Sequence, residues 1–142
     1  MPTLTNSTKP LSVKSVSTKW HLIDAKNKIL GRVAVEIAKK LIGKEKVYQA
    51  DYLDCGDEVV VTNAASVVLT GQKLLNKKYT SYSGYPGGLK IVSASKMLAD
   101  KPNKMLLTAV KGMLPKNKLR SKRLKRLHIF SSENHTFLNK FS

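Results

Sequence analysis

Apolar and polar positions change their period several times along the chain, and each change marks an element. Trp20-His21-Leu22-Ile23 is a short apolar run ending at Asp24; it predicts a first strand followed by a turn over residues 24–27. From Gly31 to Gly43 the period becomes helical. Val33, Ala34, Val35, Ile37, Ala38, Leu41 and Ile42 fill one broad arc of the wheel, and Arg32, Glu36, Lys39 and Lys40 fill the rest. So wide an arc suits a helix packed on a sheet, with Gly43 as its stop.

Glu58-Val59-Val60-Val61-Thr62 is a continuous β-branched run, the pattern of a strand covered on both faces. Val67-Val68-Leu69-Thr70 reads as a second such strand, ended by Gly71. Between Gln72 and Lys90 the chain turns polar, basic and aromatic and closes on Gly84-Tyr85-Pro86-Gly87-Gly88, which predicts a loop. Ser95–Ala99 reads as a short helix. Pro102 suits the first position of another, running to Gly112 with Pro115 beyond it. Leu127–Phe130 reads as the last strand, and the chain after Ser131 as weakly structured. The alternation predicts an α/β sandwich around a mostly parallel sheet. Residues 1–18, rich in Ser, Thr and Lys, read as a flexible arm that orders against a partner. Residues 19–131 read as one α/β domain and 132–142 as a short tail.

Composition narrows the function. The 142 residues carry a net charge of +17 with 42% hydrophobic content, so this is a folded chain that calls for a polyanion. A single cysteine excludes a disulfide framework. No stretch approaches the roughly 18 apolar residues of a membrane span, which predicts a soluble chain. The charge is uneven. Residues 47–70 hold Asp51, Asp54, Asp57 and Glu58 and no base, whereas residues 71–142 hold sixteen bases against Asp100 and Glu133. Two faces are expected, one of them turned toward nucleic acid.

Candidate chemistry is sparse. His21, His128 and His135 have no metal-ligand spacing, so no metal is expected. Cys55 lies between Asp54 and Asp57, whose charges would raise a thiol pKa, and reads as a buried or turn cysteine. Asp54 and Asp57 read as turn or cap residues ahead of a strand. Neither GxGxxG nor GxxxxGK[ST] occurs, so nucleotide-cofactor binding has no support. No catalytic constellation is visible, and no cofactor is expected.

The basic clusters say more. Residues 111–126 contain Lys111, Lys116, Lys118, Arg120, Lys122, Arg123, Lys125 and Arg126 with no acid. Leu119, Leu124 and Leu127 are interleaved, so the segment can anchor to the core with its bases outward. Six phosphate contacts here would give a log–log salt slope of roughly −4 to −5. A second cluster combines Lys73, Lys77, Lys78 and Lys90 with Tyr79, Tyr82 and Tyr85, a mixture suited to RNA because rings stack on unpaired bases while ammoniums hold phosphates. The first cluster, and from the second all but Tyr79, are the predicted RNA contacts. A bland alternative for the second is a mobile surface loop.

The order of motifs resembles the universal large-subunit ribosomal protein thirteen family, of bacterial or organellar type. The resemblance rests on Trp20, Asp24-Ala25, Leu30-Gly31-Arg32, Gly43-Lys44-Glu45-Lys46, Asp54-Cys55-Gly56-Asp57, Asn63-Ala64, Thr70-Gly71-Gln72-Lys73, the loop Tyr79–Gly88, and above all Val110-Lys111-Gly112-Met113-Leu114-Pro115-Lys116-Asn117. It covers about residues 20–130. It implies a three-layer α/β/α fold around a parallel four-stranded sheet, with basic loop extensions. It also implies a structural role on large-subunit rRNA early in assembly, beside neighbouring large-subunit proteins and without catalysis. The ending from Leu119-Arg120 to Phe130 looks more like mitochondrial members, so a mitochondrial ribosome is expected ahead of a bacterial cytoplasm or a plastid. Two other classes remain open: an extra-ribosomal RNA-binding translational regulator, and a basic RNA-processing enzyme.

Overall fold

A computed structural model describes residue 10 and residues 12–141. The strands are β1 (Trp20–Asp24), β2 (Glu58–Thr62), β3 (Lys78–Tyr82), β4 (Leu89–Ser93) and β5 (Leu127–Ile129). The α-helices are α1 (Leu30–Ile42), α2 (Lys73–Asn76), α3 (Ala94–Asp100), α4 (Pro102–Met113) and α5 (Leu119–Lys125). Three strands form a parallel sheet in the order β1-β2-β5. Trp20 pairs with Glu58 and Asp24 with Thr62 at the two ends of one ladder, and Val59 pairs with Leu127 in the other.

Register sorts the side chains onto two faces. Ile23, Val59, Val61 and Leu127 join one core with Val33, Ile37 and Leu41 of α1, Met97 of α3, and Met105, Leu106 and Val110 of α4. The predicted arc of α1 is thus the buried one, except that Val35 is exposed. Residues alternating with these point the other way: Trp20, Leu22 and Val60, with His128 paired to Val60. There the chain after Ser131 returns across the sheet. Phe137 stands 5.2 Å from the Trp20 ring and 4.5 Å from His128, and Phe141 meets Trp20 edge-on at 6.4 Å. The tail read as weakly structured is therefore a ring-packed flap with a 3₁₀ turn at Leu138–Lys140. It supplies the cover on this side that the three-layer expectation gave to helices.

The expected fourth parallel strand does not form. Val68 makes one parallel bridge to Ile29, donating to Lys28 O and accepting from Leu30 N. Leu30 already begins α1, so this ladder has no partner to extend along. The expected loop over 72–90 is also more ordered than its composition suggests. It holds α2 and an antiparallel hairpin in which Lys78 pairs with Ser93 and Tyr82 with Leu89. Tyr79 and Val92 are paired in that hairpin and pack against the core, which anchors it. Near the N-terminus, Ser17 O accepts from Lys46 Nζ at 2.6 Å, so the described end of the expected arm is tied down; residues 1–9 and 11 lie outside the described ones.

Two glycines set how closely α1 meets the segment before β2. Gly43 ends α1 at φ 80°, and a Cβ there would lie 2.4 Å from Cys55 O. A Cβ on Gly56 would lie 2.0 Å from Leu41 O. The two backbones touch, and only hydrogen side chains fit between them.

Candidate nucleic-acid interface

The irregular segment Asp54–Asp57 leading into β2 receives part of the basic C-terminal segment. Asp57 is 8% exposed at its side chain; it accepts the Lys19 N–H at 2.9 Å, faces Lys46 Nζ at 2.5 Å and reaches His21 Nε2 at 2.9 Å. Burial pushes its carboxyl pKa up. The Lys46 ammonium, the Lys19 amide and His21 outweigh burial and hold it below the usual carboxylate value. Asp57 is thus a structural anchor joining the strand entry to the chain after α1, and not the turn or cap residue expected, because the chain over 54–57 forms no turn. Cys55 beside it is fully buried.

Asp54 faces the other way, into α5. Arg126 Nη2 pairs with it at 3.0 Å, and Arg126 Nη1 donates to Gly56 O at 2.6 Å. Arg123, 3% exposed, places its Nε 3.9 Å from Asp54 Oδ1. Arg120 donates through Nε to Lys111 O at 3.1 Å and through Nη2 to the same oxygen, tying α5 to the end of α4. The expectation that all eight bases of 111–126 point outward therefore needs correction. Arg123 is inside, facing Asp54 by charge at 3.9 Å and not by a hydrogen bond, whereas Arg120 and Arg126 are half-buried and hydrogen-bond to backbone oxygens of Lys111 and Gly56.

The lysines do point outward. Lys111, Lys116, Lys118, Lys122 and Lys125 are exposed, and among the described residues none lies within ion-pair distance of an acid. Arginines fasten the segment and lysines face solvent.

The second cluster lies on α2 and the hairpin. Lys73, Lys77, Lys78, Tyr82, Tyr85 and Lys90 are all exposed. Lys77 Nζ stands 5.3 Å over the Tyr79 ring, whose phenol burial holds above its ordinary pKa. Cross-strand pairing puts Tyr82 beside Leu89, and Ile91 is on the same face as Leu89, so this face shows exposed apolar surface along with its tyrosine. Reading 72–90 as a loop missed Leu89 and Ile91; the alternation Leu89, Ile91 against Lys90, Val92 is the signal that carried them. Both clusters connect through α3 and α4 to one core, so each is held at a fixed position.

A family profile described as Ribosomal protein L13 matches residues 18–136. This chain belongs to that family. The match spans the sheet, both basic clusters and the start of the tail. Among its relatives, a protein of Pelobacter propionicus named large ribosomal subunit protein uL13 is 47% identical over 128 residues, 90% of each chain. Proteins of the same name from Citrifermentans bemidjiense and Geobacter sulfurreducens are 52% identical over 122 residues and 46% over 129. They cover 86% and 91% of this chain, and 86% and 90% of their own lengths. These family members are bacterial, and they lend no support to the mitochondrial expectation drawn from the ending at 119–130.

Proposed function

We propose that this chain is a structural constituent of the large ribosomal subunit that serves translation by binding and organising large-subunit rRNA. Its body, residues 19–131, presents lysines to phosphates, with the 1–18 arm and the 132–142 tail at its ends. Lys111, Lys116, Lys118, Lys122 and Lys125 form one contact. Lys73, Lys77, Lys78 and Lys90 form the other, with Tyr82 and Tyr85 placed to stack on unpaired bases. Arg120, Arg123 and Arg126 act through the fold, holding α5 where its lysines reach RNA. Neighbouring large-subunit proteins are the remaining partners. The reading calls for no catalysis, cofactor, metal, membrane or small-molecule substrate.

The observation that carries it is the set of exposed lysines on α4, α5 and their connection without acidic partners, in a chain of the ribosomal protein L13 family. Charge left uncompensated within a fold is compensated by a polyanion. Sedimenting a lysate of the source cells through a magnesium-containing gradient and blotting for this chain tests it. Retention with the large subunit through a high-salt wash is expected. Recovery at the top of the gradient in low salt would overturn the reading.

A further inference from the structure

Three segments far apart in sequence meet at one cleft: Leu30 and Gly31, Thr70 with Gln72 and Lys73, and Thr108 and Ala109 with Gly112. The cleft encloses about 650 Å³ between the start of α1, the 68–70 segment, α2 and the last turns of α4. That volume falls within the range of about 300–1,000 Å³ that suits a small organic ligand. Its walls are mostly apolar, supplied by residues such as Ile29, Val68 and Ala109. Its charges are Lys73 and Lys77 alone, with no acid in the lining.

Gly31 and Gly112 both line this cleft, Gly31 as the second residue of α1 and Gly112 as the next-to-last of α4. In these terminal turns glycine's helix penalty is smaller than in a helix interior. Neither has the internal reason that Gly43 and Gly56 have. A Cβ on either would meet nothing within 4 Å, and neither has positive φ. Within the free protein, alanine would fit at both positions without a clash. Space kept clear at two points of one cavity is consistent with an occupant that comes close to the backbone. The acid-free lining with its two lysines favours an anionic occupant by charge complementarity.

We propose that this cleft receives a single unstacked nucleotide of the RNA. Its base would lie among the apolar walls beside the half-buried Tyr79, and its phosphate would lie on Lys73 and Lys77. The proposal rests on the RNA-binding reading above and adds a defined subsite to it. Phosphate contact alone would use exposed lysines and leave the cleft empty. An inserted nucleotide would instead fix one point of the RNA relative to α1, α2 and α4 together.

The test compares the full-length protein with Gly31→Ala, Gly112→Leu and the double variant. Each is assayed for melting temperature and for affinity to transcribed large-subunit rRNA. A benzophenone amino acid in place of Thr108, which also lines the cleft, reports what enters it. Expected are a melting temperature equal to or above that of the parent, at least a tenfold loss of affinity in the double variant, and a cross-link to one short stretch of RNA. Parent-like affinity in a stably folded double variant would overturn the subsite and leave the lysine interface standing. Cross-linking to a ribosomal protein in assembled subunits would overturn it too. Failure of the parent protein itself to bind the RNA would remove both readings.

Discussion

Arg126 donates to Gly56 O at 2.6 Å across a sequence separation of 70, and its other terminal nitrogen pairs with Asp54. That one guanidinium joins the end of α5 to the segment that precedes β2. With Arg123 beside it, the acid-only segment of the chain becomes the dock for part of its most basic segment. The two charge blocks visible in the sequence are thus partly partners of each other.

Truncating Arg123 leaves the half-buried Asp54 carboxylate without one of its two cations, and opens a gap under α5. Arg123→Ala is expected to lose about 3 kcal/mol of folding stability by urea denaturation. Lys122→Ala, one residue away and exposed, is expected to stay within about 0.5 kcal/mol of the parent. Equal effects at the two positions would count against the inward role of Arg123.

A methyl group on Gly56 collides with Leu41 O, which is backbone and cannot swing aside. Gly56→Ala is expected to cost about 3 kcal/mol, with loss of cooperative unfolding in the worst case. Gly112→Ala, where a Cβ meets open space, is expected to leave stability unchanged or raise it. Thermal melts of the two variants side by side would show the contrast.

Asp57 gives the fold an acid-sensitive joint. Its carboxyl pKa is lowered in the folded protein: burial raises it, but Lys46, the Lys19 amide and His21 lower it further. A depressed folded pKa adds stability that is complete above the unfolded value of about 3.9 and is lost as pH falls through the folded one. Asp57→Asn is therefore expected to destabilise at pH 7 and to flatten the acid limb of the stability curve. If the parent and the variant lose stability in parallel between pH 5 and pH 2, the joint is not the source of that limb.

The tail flap predicts an optical signature. Phe137 contacts Trp20, His128 and Phe130, so Phe137→Ala is expected to cost about 2 kcal/mol, less than a fully buried ring because Phe137 is only half-buried. Trp20 is the only tryptophan in the chain, so its fluorescence should shift to the red in this variant. An unshifted spectrum would mean the tail does not cover the indole in solution.

The sheet and its first helix were legible because their residues obey one rule each. Val59-Val60-Val61 is apolar on both sides because helices cover one face and the tail covers the other; α1 shows its arc because it packs on one side only. Val67-Val68 carries the same β-branched signal and still forms no strand. Propensity cannot report that its one strand-bridge partner among the described residues, Ile29, stands at a helix start. The hairpin was hidden by Lys and Tyr positions that resemble a loop until Tyr79 and Val92 are paired. Arg123 was misjudged because a run of bases normally faces water. Its spacing four residues after Leu119 within α5 was the available sign of an inward side, and nothing in the sequence singled out Asp54 from Asp51, Asp57 and Glu58 as the acid that faces it. Lys111, Lys116, Lys118, Lys122 and Lys125 are exposed as expected, with no acid within ion-pair distance among the described residues to draw them inward.

The division of labour between these two kinds of base is the central claim, and salt dependence of RNA binding tests it most directly. Affinity for transcribed large-subunit rRNA would be measured from low to moderate salt for the parent and for a variant with Lys111, Lys116, Lys118, Lys122 and Lys125 changed to Ala. With about 0.7–0.9 counterion released per lost phosphate contact, the log–log slope is predicted to become shallower by roughly 3.5–4.5, with an unchanged melting temperature. A parent-like slope in the folded variant would contradict the account, because the exposed lysines of the C-terminal segment would then not be its RNA contact.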